Sequence, residues 1–65
     1  FVLPVLHGDR LIGRIDPAFD RTHKRLHIHA QHWEPGVKRT KALEKSVTGA
    51  IEALAGWLGA KEISY

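Results

Sequence analysis

Read from its first residue, the chain changes hydrophobic period twice. Val2 to Leu6 is a short, apolar, partly β-branched run. His7-Gly8-Asp9-Arg10 follows it as a turn candidate, because glycine reaches positive φ at no steric cost. From Arg10 to Asp16 the residues alternate, with Leu11, Gly13 and Ile15 on one face and Arg10, Ile12, Arg14 and Asp16 on the other. That is the pattern of a half-buried strand. Asp16 to Lys24 breaks the alternation with Pro17 and several polar side chains, and reads as a longer hairpin loop. Arg25 to Trp33 alternates again: Leu26, Ile28 and Ala30 form the expected core face, and Arg25, His27, His29, Gln31 and Trp33 the opposite one.

Glu34-Pro35-Gly36 punctuates the chain, and beyond it the period lengthens. Leu43, Val47, Ala50, Ile51, Leu54 and Leu58 recur every three or four residues, which at about 100° per residue makes one stripe with Trp57 at its border. The spacing predicts an amphipathic helix from about Lys38 to Leu58, with Lys41, Glu44, Lys45, Thr48 and Glu52 toward solvent. Gly59 stands where a left-handed C-terminal cap would end it. Glu62 to Tyr65 is long enough for a short last strand. The order β-β-β-α-β predicts an α+β fold, a small antiparallel meander of three strands and a possible fourth, packed by one C-terminal helix.

Composition narrows the class. Sixty-five residues allow one small domain, and 43% hydrophobic with 26% charged residues is the composition of a chain that folds. With no cysteine, disulfides, cysteine-based zinc sites and thiol catalysis are excluded, and the expected compartment is the cytoplasm. The opening apolar run stops at His7, too short for a signal peptide or a membrane span. A chain that starts with Phe1 rather than Met reads as a single domain, residues 1–65, excised from a longer protein.

Charge adds a direction without a target. Ten Lys and Arg against seven Asp and Glu give a net charge of +3, spread over both halves, a balance that favours polyanions. His27-x-His29 places two imidazoles on one strand face, yet a zinc site needs three or four ligands and His32 should point the other way. No metal and no cofactor is expected. Thr22, Thr40, Ser46, Thr48 and Ser64 lack the partner base that a nucleophile requires, and the glycines do not form a phosphate-binding loop. No catalytic residue is assigned. Nucleic-acid contact fits better: Arg25, His27, His29, Gln31 and Trp33 offer cations, hydrogen bonds and an aromatic plane. Lys38, Arg39 and Lys41 crowd the expected helix start, where the macrodipole disfavours cations and a bound anion would offset the repulsion. Solvated surface charge accounts for the same residues equally well.

The string Gly8-Asp9-Arg10-Leu11-Ile12-Gly13-Arg14-Ile15-Asp16-Pro17, followed by Asp20-Arg21, Leu26-x-Ile28 and Trp33-Glu34-Pro35-Gly36, resembles the C-terminal part of the bacterial winged-helix DNA glycosylase-like proteins of the AlkZ/YcaQ type. The resemblance covers almost the whole chain, although the helix contributes only a generic pattern. It implies tandem winged-helix units upstream and a β-barrel-like last subdomain, of which this chain would be that last part. It also implies a parent that excises alkylated bases and unhooks crosslinks by hydrolysing the N-glycosidic bond, using a Gln-x-Gln or Gln-x-Asp motif. Here the one glutamine, Gln31, is followed two residues later by Trp33, so that role transfers to no residue of this sequence.

Two readings follow. In the first, the chain is a non-catalytic DNA-binding accessory subdomain whose partners are double-stranded DNA and the upstream winged-helix subdomains, with no membrane contact. Its expected contact residues are Arg10, Arg14, Arg21, Lys24, Arg25, His27, His29, Trp33, Lys38 and Arg39, centred on the hairpin of the second and third strands. In the second, it is a non-enzymatic interaction or scaffold module whose basic face is incidental.

Overall fold

A computed structural model describes residues 2–65. Strand β1 (Leu3–His7) pairs antiparallel with β2 (Arg10–Asp20), and β2 pairs antiparallel with β3 (Arg25–Trp33). Helix α1 (Lys41–Leu58) crosses one face of the sheet and returns the chain to β4 (Glu62–Ser64). β4 lies parallel to β3, so the sheet is mixed, in the order β1-β2-β3-β4. A helical crossover is the usual connection between parallel neighbours. The fold is α+β, in the order β-β-β-α-β expected.

Local chemistry sets each boundary. Gly8, at φ 66, occupies the first central position of the two-residue β1–β2 connection, where type II′ hairpin turns place a positive φ. Glu34-Pro35-Gly36-Val37 closes with the Val37 amide donating to the Glu34 carbonyl at 3.1 Å, and Gly36 supplies the positive φ of a type II turn. The helix opens with Thr40, whose Oγ1 accepts from the Leu43 amide at 3.2 Å. It closes with Gly59 in the left-handed conformation: the Gly59 amide donates to Gly56 and the Ala60 amide to Ala55, the paired bonds of a Schellman cap. The helix therefore begins at Lys41, not Lys38, and Lys38 and Arg39 stand before the cap instead of in the first turn.

Two β-bulges correct the expected faces of the sheet. Between Val5↔Gly13 and Leu6↔Leu11 the second strand carries Ile12 as an extra residue. Ile12 and Gly13 are consequently both buried, whereas Leu11, expected in the core, faces out opposite Leu6. Between Asp16↔Ala30 and Pro17↔Ile28 the third strand carries the extra residue, His29. Strand β2 thus runs on to Asp20, through residues expected to be loop. Pro17 is tolerated because the ladder shifts there and β1 has already ended opposite Ile15. The hairpin loop shrinks to residues 21–24.

The core lies between sheet and helix: Val5, Ile12, Ile15, Leu26 and Ile28 from the strands meet Leu43, Val47, Ile51 and Ala55 from α1. The helical members are spaced by four residues. Leu54 and Leu58, expected among them, fall on the same stripe but in the last turns of the helix, where they pack against the edge of the core and are only half-buried. No polar or charged residue is buried among the described residues. No helix of the described residues is long and apolar enough to cross a membrane.

Candidate nucleic-acid interface

The helix covers one face of the sheet and leaves the other open. Cross-strand partners share a face, so Arg14 with His32, Asp16 with Ala30, Ala18 with His27, and Asp20 with Arg25 lie together on the open side. Glu62 and Ser64 extend it onto β4, where Glu62 pairs in register with Arg25 and Ser64 with His27. The expected row from Arg25 to Trp33 is divided by the bulge at His29. Arg25, His27 and His29 stay on the open face, while Gln31 and Trp33 turn to the helix side, beside Glu44, Val47 and Thr48.

Much of the positive charge of the open face is already engaged. Arg25 Nε donates to Glu62 Oε1 at 2.6 Å, and His27 Nδ1 lies 2.7 Å from Ser64 Oγ. The rings of His27 and His29 meet edge to face, with centroids 4.6 Å apart. On the helix side the Arg39 guanidinium stands 5.1 Å over the Trp33 ring and donates to Glu44 at 3.3 Å. With Asp16, Asp20 and Glu62 interspersed among Arg14 and Arg25, the open face is close to balanced in charge. No group of three or more His, Asp or Glu among the described residues is arranged to hold a metal ion.

The β2–β3 loop has a different character. Asp20 organises it: Oδ1 accepts from the amides of Thr22 at 3.0 Å and His23 at 3.2 Å, and the His23 ring Nδ1 lies 2.7 Å from Oδ2. These bonds favour the ionised carboxylate, the His23 side chain first, and hold the Asp20 carboxyl below its ordinary value of 3.8. Lys24 ends the loop at φ 55, a left-handed conformation unusual for a side-chain-bearing residue. Its carbonyl accepts from the amide of Lys61 at 2.7 Å, tying the loop to the segment that leads into β4.

Arg21 and Lys24 make no ion pair among the described residues, and they border an open cleft of about 520 Å³ with Phe19, Trp57 and Leu58. Arg10, Arg14 and Lys38 are likewise unpaired, but Arg10 and Lys38 lie toward the opposite end of the sheet. Eleven residues of β2 separate the two ends, a span of roughly 35 Å at the usual rise. The ten residues expected to contact DNA thus fall into a loop cluster, an open-face group and a far-end group. Two cleft residues lie outside the contact residues expected from sequence: Phe19 falls in the segment that the broken alternation marks as loop, and Trp57 stands at the stripe border, a position that suggests partial burial. Trp57 is 83% exposed.

Residues 1–57 match the family described as DNA glycosylase AlkZ-like. The chain belongs to that family. The AlkZ-like match spans β1, β2 and β3 and runs through α1 to Trp57, so it includes every lining residue of the cleft except Leu58. No solved structure matches the chain.

Proposed function

We propose that this AlkZ-like chain is a DNA-binding accessory subdomain of a glycosylase-like repair protein, and that it meets the phosphate backbone through the β2–β3 hairpin loop. The observation that carries this reading is the ordered loop itself. Asp20 holds the turn from within, and Arg21 and Lys24 project from it with no acidic partner among the described residues. Cations that are positioned but not neutralised keep their full attraction for phosphate, and every contact they form releases counterions. Arg14 on the open face and Arg10 and Lys38 at the far end extend the positive field, whereas Arg25 and Arg39 must first loosen their carboxylate partners. Base excision is assigned to residues outside this chain, since Gln31-His32-Trp33 is neither Gln-x-Gln nor Gln-x-Asp.

Titration with a fully paired duplex at two salt concentrations tests the reading. The double variant Arg21→Ala/Lys24→Gly should weaken binding and lower the salt slope by about two, the signature of two lost phosphate contacts. Glycine is chosen at position 24 because it accepts the left-handed φ that alanine would strain. Lys45→Ala, on the solvated side of α1, should change neither. An unchanged slope in the double variant would instead favour the scaffold reading, in which the basic loop is incidental.

A further inference from the structure

We infer that the cleft beside the loop holds one unpaired nucleotide, its base stacked on Trp57 and its phosphate held by Arg21 and Lys24. This inference rests on the DNA-binding reading above and names what the loop would recognise beyond backbone charge. Three observations carry it. Trp57 is a large aromatic side chain left 83% exposed on a folded domain, at the C-terminal end of α1. It borders two adjoining spaces: the open cleft shared with Phe19, Arg21, Lys24 and Leu58, and a smaller apolar one against Pro17, Phe19, Leu26, Leu54 and Leu58. Among the described residues the open cleft is lined by two unpaired cations and no acid.

The lining decides the ligand class. A flat apolar ring beside an apolar floor suits a nucleobase, because every base presents a π-face and stacks without sequence-specific hydrogen bonds. Arg21 and Lys24 supply charge where the attached phosphate would lie. The cleft offers no carboxylate for a basic peptide and no dedicated hydrogen-bonding array for base-edge readout. A fully paired duplex keeps its bases stacked on one another, out of reach of Trp57. The stacking contact therefore selects single strands, bulges and bases displaced from the helix.

The experiment compares the protein with its Trp57→Ala and Trp57→Phe variants on three probes: a short oligothymidylate, a fully paired duplex, and the same duplex with a single bulged thymidine. The inference expects tryptophan emission to be quenched by the oligothymidylate and the bulged duplex. Trp57→Ala should bind both about tenfold more weakly, and Trp57→Phe should recover part of that loss. Binding of the paired duplex should be the same in all three proteins. Because Trp57 is exposed, its replacement should leave the fold intact, which circular dichroism checks. Equal weakening on all three probes, or none on any, overturns the stacking site. A Trp57-dependent self-association seen by sedimentation without DNA also overturns it, since a second copy would then cover the ring. Paired-duplex binding with a steep salt slope but no effect of Trp57→Ala sinks the stacking site and leaves the hairpin reading standing. Loss of paired-duplex binding with the Trp57 effect retained does the reverse.

Discussion

At the scale of the residue, Gly13 shows how one position can hold a strand pair together. A Cβ built there would lie 2.4 Å from the His32 carbonyl oxygen, a backbone atom that cannot swing aside. Gly13→Ala should therefore cost roughly 1–3 kcal/mol, by forcing β2 and β3 apart next to the Ile12 bulge. Thermal denaturation measures the loss, and a variant as stable as the parent would show that the strands separate freely there. Asp20 is the second such residue. Its carboxyl titrates lower in the folded chain than in the unfolded one, which therefore binds more protons in that range. Its stabilising contribution is present above the unfolded value and is lost as pH falls through the lower folded one. The backbone amide signals of Thr22 and His23 should report a transition with its midpoint below the ordinary 3.8, and Asp20→Asn should abolish that transition. A midpoint at the ordinary value would mean that the loop does not hold the carboxylate.

At the scale of the element, the helix illustrates how spacing and burial part company. Leu43, Val47, Ile51 and Ala55 form its buried line, with Ile51 only 1% exposed, while Leu54 and Leu58 sit at the rim. Ile51→Ala should cost about 2–5 kcal/mol, since both transfer energy and a cavity are involved. Leu54→Ala should cost about 1–2 kcal/mol, because a rim site keeps part of its surface in water and can relax. Chemical denaturation of the two variants side by side checks the order. If Leu54→Ala proved the more damaging, the C-terminal turns of the helix would be buried more deeply than Ile51. The β2–β3 hairpin is the complementary case. Its two strands stay paired across a bulge, and that bulge sends Gln31 and Trp33 to the helix side while His27 and His29 remain on the open face.

At the scale of the whole molecule, shape and charge act together. The domain measures 38 × 18 × 18 Å, with a radius of gyration of 12.0 Å against about 11 Å for an average compact chain of this length. The elongation follows from the eleven-residue β2, which separates the loop cations Arg21 and Lys24 from Arg10 and Lys38. A net charge of +3 distributed in this way gives a weak general attraction to polyanions. A core of nine buried hydrophobic side chains among the described residues leaves little reserve, so substitutions such as Gly13→Ala and Ile51→Ala act on the fold before they act on binding. The binding tests accordingly use exposed positions.

The sequence by itself determined the element types, their order and the C-terminal cap, because period-2 and period-3.6 patterns, Gly59 and the Glu34-Pro35-Gly36 turn act through neighbours in the chain. The motif Gly8 to Pro17 likewise carried the family resemblance, and it lies within the matched span. Tertiary structure decided what depends on a partner strand. A bulge is an extra residue counted against a neighbour, so nothing in Leu11-Ile12-Gly13 taken alone reveals that Ile12 rather than Leu11 enters the core. The same holds for Trp33, which left the expected row when β3 slipped past Pro17, and for the parallel placement of β4 after the helical crossover. The candidate cleft was half legible: Arg21 and Lys24 stood out as loop cations, but Trp57 joins them from thirty-odd residues away only because α1 folds back along the sheet. Alternation along a chain is a local property, whereas face, register and the company a side chain keeps are set by the pairing that buries the most apolar surface.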